Sequence, residues 1–246
     1  MARAAQRPWV AEFGRRGYFR IEPYRAVPRL AAPSQRGLGW KDVSRSDALR
    51  FSLCFFSPVP NTAAPPHTAR QLLDEAALTL AISQIADRIL ARHEDVTALA
   101  LIGIPSRGVE LASRVAAVIA ARSGKVPSSG AIDISMHRDD MEARHAVHAI
   151  QETRIPGSLS SAIVILVDDV LQSGRTCRAA LDALSSFGRP KRVEYAVLID
   201  RGLRELPIAA DYTGHFVSTM PSERVFVRLR PLDSVEGVWI EGKHRL

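Results

Sequence analysis

The sequence predicts an α/β domain built on a parallel sheet, and two observations lead to that prediction. Apolar segments of strand length alternate with segments of helical periodicity between about residue 70 and residue 199. Such alternation is typical of parallel strands joined by right-handed helical crossovers. Polar loops follow several of the apolar strands, at the edge where open α/β sheets bind ligands. We therefore expect a ligand site along the carboxyl edge of the sheet.

Three helices and several strands are expected after residue 70, in a regular order. The spacing of apolar residues predicts helices over 70–92, 109–122 and 175–187. Apolar runs predict strands over 97–104, 131–135, 162–167 and 193–199, with short strands near 214–217, 224–229 and 237–240. Residues 137–161 are polar and lack periodicity, so we expect a long mobile loop there. Gly188 and Pro190 are typical of a helix end.

Residues 1–70 differ from the rest of the chain in charge and pattern. They hold 12 Lys/Arg and 4 Asp/Glu residues, a balance of +8, whereas residues 71–246 hold 21 and 22. Arginine, proline, alanine and serine dominate, and such a composition buries little apolar surface apart from the island at 51–56. We expect a basic, mostly disordered extension over 1–70, or leader from a misassigned start, and a folded domain over 71–246. An organelle transit peptide and an arm that contacts RNA are alternative interpretations of the extension.

The composition also argues against several classes of protein. No apolar run approaches the roughly 20 residues that a membrane-spanning helix requires. Cys54 and Cys177 are too few and too far apart to indicate a disulfide framework or a zinc site. We interpret them as reduced thiols of a cytoplasmic protein. Because residues 71–246 are nearly neutral, nucleic-acid binding by that part would require a local basic patch.

The stretch 164–176, VILVDDVLQSGRT, indicates a site for a sugar phosphate. Asp168 and Asp169 follow four apolar residues, and a loop containing Gly174 then leads into a helix. Carboxylates accept hydrogen bonds from ribose hydroxyls, and free amides at a helix start bind a phosphate dianion. Two adjacent acids at the end of a buried strand repel each other unless a ligand or donors offset the cost. Ligand binding is therefore favoured over simple capping. A Walker-type site is excluded, because no Gly-Lys-Ser/Thr follows.

Three other loops supply polar residues of less specific meaning. Ser106 and Arg107 can bind a pyrophosphate through backbone amides and a guanidinium, although Arg-Gly after a strand is often a plain turn. The tetrad at 137–140 is either a solvated charge run or the head of a lid that excludes water. Arg201 can face a phosphate or a planar base, and Asp200 can equally be an ion-pair partner with no other role.

With these loops identified, residues 72–246 resemble the PyrR family within the type I phosphoribosyltransferases. These are pyrimidine-operon attenuation regulators with uracil phosphoribosyltransferase activity. The stretch 164–176 resembles the phosphoribosyl pyrophosphate (PRPP) motif. The other supporting segments, in the same order, are LIGIPSRGVELASRVA (101–116), GAIDISMHRDD (130–140), RAALDAL (178–184) and GRPKRVEYAVLIDRGLRELPIAADY (188–212). Few other phosphoribosyltransferases carry an RGxRELPI-like segment after the fourth strand, and residues 1–70 have no counterpart.

The resemblance implies both a fold and an activity. The fold would be the type I phosphoribosyltransferase fold, a central five-stranded parallel sheet flanked by helices with a small hood. The reaction would convert uracil and PRPP to UMP and diphosphate, with Mg²⁺ bound through PRPP and no direct protein ligand to the metal. The second activity would be binding of pyrimidine-operon leader mRNA under the control of UMP and UTP. The resemblance further implies a homodimer or higher homo-oligomer that does not bind a membrane.

The resemblance also implies roles for individual residues. The expected catalytic residues are Asp168, Asp169 and Arg107. The expected pyrimidine contacts are Arg201 and Val225, and the expected lid residues are Arg138, Asp139 and Asp140. The PRPP-binding residues would be Ser106, Arg107, Asp168, Asp169, Val170, Leu171, Gln172, Ser173, Gly174, Arg175 and Thr176.

Departures from the family pattern leave an alternative open. Gln84 and Asp87 stand where relatives commonly have an Arg and a His. Leu203, Ala209 and His215 stand where relatives have a His, an Arg and a Lys. These replacements remove donors suited to RNA. The alternative is a homologue that binds PRPP and nucleotides but has lost RNA binding or uses another base.

Overall fold

The computed structural model describes residues 9–13, 19–23, 69–138 and 152–242. The chain divides into two compact units, Met1–Phe56 and Ser57–Leu246. In the first unit, β1 (Trp9–Phe13) pairs antiparallel with β2 (Phe19–Pro23). This hairpin is an addition to the sequence prediction, which assigned no strand before residue 51. The apolar island at 51–56 lies outside the described residues.

In its described part, the second unit contains eight strands and three α-helices. They are, in chain order, β3 (Arg70–Leu73), α1 (Glu75–Arg92), β4 (Leu99–Gly103), α2 (Arg107–Ser123), β5 (Ser128–Ala131), β6 (Ile163–Leu171), α3 (Arg175–Ser185), β7 (Arg192–Asp200), β8 (Tyr212–Phe216), β9 (Glu223–Arg228) and β10 (Gly237–Gly242). None of the described helices has both the length and the apolar character needed to cross a bilayer.

A five-stranded sheet in the order β5-β4-β6-β7-β8 forms the centre of this unit, and every strand pair in it is parallel. Alternate residues of each strand face opposite layers. Ile165 and Val167 pack with α1 and α2 in one core, whereas Val164 and Leu166 pack with α3 in the other. The predicted fold class, a parallel sheet covered by helices, is thereby confirmed.

A second, antiparallel sheet in the order β3-β10-β9 forms the small hood that the resemblance implied. The sequence prediction was wrong at β3, because it placed 70–73 in the first helix. Asp74 ends the strand and caps α1, since its carboxylate accepts a hydrogen bond from the amide of Ala77 at 2.8 Å. Pairing with β10 then keeps residues 70–73 extended, which a local helical pattern cannot reveal.

Three further boundaries differ from the prediction. Helix α2 begins at Arg107, two residues earlier than expected, and the strand expected over 131–135 lies instead at Ser128–Ala131. Strand β6 continues to Leu171, four residues beyond its expected end, because its pairing with β7 continues to Asp200. Asp168 and Asp169 therefore lie within the strand instead of after it.

Candidate active site

The last four residues of β6 are paired on one side only. The register between β6 and β4 ends at Val167, whose carbonyl also accepts a hydrogen bond from the amide of Ile104. The register with β7 continues through Leu171. Asp168 and Asp169 follow Val167 directly, so they lie where β4 no longer covers the edge of β6. The central sheet thus places both acids at its carboxyl edge, as the sequence predicted.

Asp168 is held by two hydrogen bonds in a buried position. Its Oδ1 accepts the backbone amide of Asp169 at 2.9 Å, and its Oδ2 accepts the hydroxyl of Tyr195 at 3.0 Å. Burial and the neighbouring charge of Asp169 raise the pKa of Asp168 to about 8, although the Tyr195 hydrogen bond acts in the opposite direction. The protein's own groups therefore disfavour the charged form of this acid, which donors or positive charge from a ligand would stabilise.

Asp169 is half-buried and responds to the same neighbours in a different way. Burial raises its pKa, and the positive charge of Arg107 partly offsets that rise. Different partners therefore stabilise the two acids. Asp168 accepts a hydrogen bond from Tyr195 of β7, whereas the charge of Arg107 at the start of α2 stabilises Asp169. Their common property is a carboxylate whose negative charge the protein alone leaves incompletely compensated.

The guanidinium of Arg107 is held by the hood. Its Nε and Nη2 donate to the two carboxylate oxygens of Asp233 at 3.0 and 2.8 Å, which is the bidentate arrangement that arginine favours with carboxylates. Asp233 is buried and also accepts Arg228 Nη1 and the amide of Leu229. Burial of Asp233 would raise its pKa, but these donors, Arg107 foremost, lower it overall. The segment between β9 and β10 therefore fixes the direction of the Arg107 side chain.

The loop after β6 leads into α3 through a glycine with a left-handed backbone. Gly174 has φ 92° and forms the N-cap of α3, and it has no side chain to occupy the first amides of the helix. A Cβ at this position would lie 3.2 Å from Cβ of Ile208, so a larger residue is disfavoured both by backbone and by space. The amide of Arg175 donates to Ser173 Oγ at 3.4 Å, and the first amides of a helix can bind an anion because they lack acceptors within the helix.

The segment after β7 braces this loop. Arg204 donates through Nη1 to the carbonyl of Gln172 and through Nη2 to Asp200. The amides of Glu205 and Leu206 both donate to the carbonyl of Ser173, at 3.1 and 2.9 Å. The RELPI-like segment, which the sequence offered only as a family signature, thus has a physical role as the support of the loop between β6 and α3. Asp200 serves as an ion-pair partner, one of the two alternatives considered for it.

The loop after β4 lies next to β6 through a close contact between backbones. Ser106 is the N-cap residue of α2, and Gly108 in its first turn packs on β6, where a Cβ would approach the carbonyl oxygen of Val167 to 2.4 Å. Any side chain at Gly108 would therefore displace the helix from the strand. This contact brings Ser106 and Arg107 to the same edge as the acids of β6.

The buried side chain of Arg201 is directed to the loop before β9. It donates through Nε to Thr219 Oγ1 at 2.9 Å and through Nη2 to the carbonyls of Met220 and Glu223. These bonds join two nitrogens of Arg201 to the 219–223 loop, and the contact with a phosphate or a base that the sequence suggested for this arginine stays a prediction. Val225 lies in β9 opposite Ile240 and packs against the larger core.

Only the beginning of the expected lid is described. A short 3₁₀ turn at Ser135–His137 is joined to α3 by a hydrogen bond from Arg178 Nη2 to the carbonyl of His137 at 3.2 Å. Arg138 follows the turn, whereas Asp139 and Asp140 lie outside the described residues.

Sequence reasoning missed three residues of this region, namely Tyr195, Arg204 and Asp233. Each touches a residue that the sequence did identify, Asp168, Gln172 or Arg107. Tyr195 lies in an apolar strand and Asp233 in the tail, where nothing in the local pattern separates them from core or surface residues. Arg204 had a visible signal, since it lies within the RELPI-like segment.

Solved structures of hypoxanthine phosphoribosyltransferases share the fold. One from Trypanosoma cruzi has a TM-score of 0.57 with 18% identity, covering 72% of this chain and 98% of the other. A hypoxanthine-guanine phosphoribosyltransferase from Bacillus anthracis has a TM-score of 0.52 with 16% identity, covering 72% of this chain and 99% of the other. At such identities the likeness establishes the type I phosphoribosyltransferase fold alone.

Sequence relatives are more specific. The family model for the phosphoribosyl transferase domain matches residues 68–229. The protein named bifunctional protein PyrR from Leifsonia xyli is 46% identical over 177 residues, covering 70% of this chain and 96% of the relative. Its namesake in Chloroflexus aurantiacus is 47% identical over 171 residues, covering 70% and 94%, and that of Mycobacterium tuberculosis is 46% identical over 186 residues, covering 72% and 96%. Matches of this extent and identity mean that the chain belongs to the PyrR family of phosphoribosyltransferases.

Proposed function

We propose that the protein is a uracil phosphoribosyltransferase that also regulates pyrimidine-operon transcription by binding leader mRNA in response to uridine nucleotides. The observation on which the enzymatic half rests is the pair of adjacent acids, buried Asp168 and half-buried Asp169, beside the N-terminus of α3. Their pKa values are raised by burial, so a ligand that brings hydroxyl donors and positive charge would stabilise their charged forms. A ribose phosphate with a bound cation has both properties.

The proposed reaction is a single displacement at C1 of the ribose in PRPP. A uracil nitrogen forms the new bond to C1, the bond from C1 to the pyrophosphate oxygen breaks, and the uracil nitrogen loses its proton. Positive charge develops on the ribose ring while negative charge grows on the departing pyrophosphate. Such a reaction depends on orientation and on charge stabilisation more than on a strong base.

In this proposal the loop and strand of the PRPP motif hold the ribose phosphate. Asp168 and Asp169 accept hydrogen bonds from the ribose hydroxyls, which fixes C1 toward the base. The amides from Leu171 to Thr176, including those at the start of α3, hold the 5′-phosphate. The brace from Arg204 keeps this loop in position before the ligand arrives, which lowers the entropy lost on binding.

Ser106 and Arg107 would contact the pyrophosphate. Because Asp233 engages Nε and Nη2 of Arg107, Nη1 is the nitrogen proposed to reach a pyrophosphate oxygen. The hood thereby fixes the direction of the guanidinium and leaves Nη1 for the pyrophosphate in this proposal. Arg138, Asp139 and Asp140 would belong to a lid that closes over the charged substrate, as the sequence suggests.

Two further features of the site complete the proposal. The pyrimidine would lie near the 219–223 loop, which Arg201 holds, with Val225 close by. Mg²⁺ carried by PRPP would neutralise the growing charge of the pyrophosphate. The chemistry of the two acids fits a substrate that arrives with such a cation, because each carboxylate is favoured in its charged form by added positive charge.

An assay of purified protein with uracil, PRPP and Mg²⁺ tests the enzymatic half. We expect UMP and diphosphate in equal amounts, and loss of turnover when the metal is chelated. Parallel reactions with other pyrimidines and with purines measure base specificity. Mg-PRPP binding without turnover of uracil would leave the phosphoribosyl site in place and favour the alternative, a homologue with another base.

For the regulatory half, the described surface offers an observation in favour of the alternative without RNA binding. On α1, Gln84 and Asp87 are exposed, and Asp87 forms an ion pair with Arg122. A carboxylate on a surface that binds RNA repels phosphate, and its partner arginine is already engaged. Relatives that bear the PyrR name still favour the regulatory reading as the main one.

A gel-shift assay with the leader RNA of the pyrimidine operon tests the regulatory half. Regulation predicts binding promoted by UMP or UTP, specific for one stem-loop and weakened steeply by salt. Binding that ignores both nucleotide and RNA sequence would favour the alternative. Analytical ultracentrifugation under the same conditions tests the proposed homodimer or higher homo-oligomer.

A further inference from the structure

The geometry around β6 and β7 points to Tyr195 as a positioning residue for Asp168, whose hydroxyl holds that carboxylate ready for the ribose hydroxyls of PRPP. This inference rests on the proposed phosphoribosyltransferase function and adds to it a residue that makes no contact with substrate. The two acids then differ in role, because the protein holds the Asp168 carboxylate in place by a hydrogen bond while Asp169 is more exposed.

Sheet geometry explains why Tyr195 reaches Asp168. Leu166 of β6 pairs with Tyr195 of β7, and Asp168 pairs with Val197. Leu166 and Asp168 lie on the same face because side chains alternate along a strand, so Tyr195 and Asp168 are diagonal neighbours on the α3 face. A long side chain at Tyr195 spans that diagonal and places its hydroxyl 3.0 Å from Oδ2 of Asp168.

The surroundings make this hydrogen bond the main polar support of the Asp168 side chain from outside its own strand. Tyr195, Val197, Leu166 and Cys177 belong to one buried apolar cluster beneath the acid. Burial raises the pKa of the Cys177 thiol to about 12, so it stays protonated and adds no charge. In such apolar surroundings an unsatisfied carboxylate oxygen is costly, and a hydroxyl donor removes much of that cost.

Whenever Asp168 is charged, its hydrogen bond with Tyr195 has a single direction. Burial and the charge of Asp168 raise the pKa of Tyr195 well above its ordinary value, so its hydroxyl keeps its proton and donates to the charged acid. The charged and titratable groups facing Asp168 are Tyr195 from β7, Cys177 from α3 and Asp169 from its own strand, with Arg107 of α2 acting on Asp169. Tyr195 is the donor in this set that stabilises charged Asp168.

Tyr195→Phe tests the inference, with Tyr212→Phe as the matched control. Tyr212 is also a buried tyrosine that donates to a buried carboxylate, Glu194 Oε2 at 2.6 Å, but it lies in the cluster of β7, β8 and α1 outside the proposed site. Both variants lose one hydroxyl and one hydrogen bond to an acid. We expect Tyr195→Phe to lower kcat/KM for PRPP by about ten-fold and Tyr212→Phe by less than about two-fold.

A second readout separates positioning from loss of stability. Without the donor, charged Asp168 is less favoured, so the acid limb of the pH profile for kcat/KM should move to higher pH in Tyr195→Phe and stay in place in Tyr212→Phe. Replacing Tyr195 with 3-fluorotyrosine keeps the shape of the ring and strengthens the donor, so the same limb should move to lower pH. This variant keeps the test decisive even where the phenylalanine variant fails to fold.

Calorimetry of Mg-PRPP binding distinguishes the two possible failures. No binding of Mg-PRPP by the unaltered protein would contradict the proposed function itself. Normal binding by the unaltered protein, together with unchanged affinity, unchanged kcat/KM and an unchanged acid limb in Tyr195→Phe, would overturn the role of Tyr195 alone. Equal losses in the Tyr195 and Tyr212 variants would reduce Tyr195 to a structural residue.

Discussion

Glu194 on the one hand, and Asp168 with Asp169 on the other, are acids of the same sheet with opposite surroundings. Glu194 in β7 is enclosed by partners, since its Oε2 accepts the hydroxyl of Tyr212 and lies 2.8 Å from His93 Nε2, while its Oε1 lies 3.4 Å from Arg92 and Arg192. Burial opposes its charge, but the hydrogen bonds from Tyr212 and His93 lower its pKa overall. For Asp168 and Asp169, burial prevails and the pKa values are raised.

The number of donors around each carboxylate distinguishes an acid that stabilises the fold from an acid suited to binding a ligand. Glu194 stabilises the fold because the protein itself supplies its donors. The two aspartates keep like charges side by side at an open edge, where a ligand with donors and positive charge would relieve them. A carboxylate thus stabilises packing at Glu194, and we propose that it binds a ligand at Asp168 and Asp169, because the neighbouring donors differ.

The largest expected effect is loss of catalysis in Asp169→Asn. An amide cannot accept hydrogen bonds from both ribose hydroxyls with the strength of a carboxylate, so kcat/KM should fall on the order of 100-fold. The melting temperature should stay equal or rise, because one of two like charges is removed. Steady-state kinetics with a thermal melt measure both quantities, and a variant that keeps half of the activity would contradict the comparison.

Glu194→Gln should have the opposite effect, a loss of stability with little change in catalysis. Replacing a buried, fully bonded carboxylate leaves Tyr212 and His93 with a weaker acceptor, and we expect a loss of about 2 kcal/mol in the free energy of unfolding. Because the cluster lies outside the proposed site, kcat/KM should stay within about two-fold. Urea denaturation gives the first value. A marked loss of activity without loss of stability would mean that the two acid groups are coupled.

A smaller effect on substrate affinity is expected from Asp233→Asn. The neutral amide no longer holds Arg107 in a charged bidentate pair, so the KM for PRPP should rise by about ten-fold with a lesser change in kcat. Glu236→Gln is the control, since Glu236 lies in the same hood segment and pairs with Arg114, another arginine of α2. If the two variants had the same KM, the hood would not aim Arg107.

The smallest expected effect is the pH dependence of stability without ligand. Glu194 has a lowered pKa, so its contribution is present above its ordinary value of 4.5 and is lost as the pH falls below it. Asp168 has a raised pKa, so the fold loses stability as the pH rises from its ordinary 3.8 toward about 8. The melting temperature should therefore fall by about a few degrees between pH 5 and pH 8. In Asp169→Asn the melting temperature should fall less over this pH range, because the charge that raises the pKa of Asp168 is removed. An equal fall in the variant and the unaltered protein would mean that other groups cause it.

Much of the fold and the centre of the site followed from local sequence. The PRPP stretch combined an apolar strand, two acids and a glycine-led helix start within 13 residues, so strand, loop and helix could be recognised together. The alternation of strands and helices likewise predicted the parallel sheet. The resemblance supplied the hood, the order of the family motifs and the expected chemistry.

Other features depended on contacts between distant residues. The prediction gave 70–73 to a helix because its local periodicity is helical, and only pairing with β10 makes it a strand. It proposed a phosphate or a base as the partner of Arg201 and did not anticipate the three acceptors in the 219–223 loop. Neither outcome is encoded in a short window of sequence, since the partners lie many residues away.

Local sequence was sufficient to place two acids and a glycine-containing loop at the end of a strand in a parallel sheet. Only the folded chain shows which neighbours those residues have, with Tyr195 under Asp168, Asp233 behind Arg107 and Arg204 beside the loop between β6 and α3. The physical reason is that strand and turn propensities act over a few residues. The charge state and direction of a buried side chain depend instead on donors and acceptors that only the packed sheet and hood bring together.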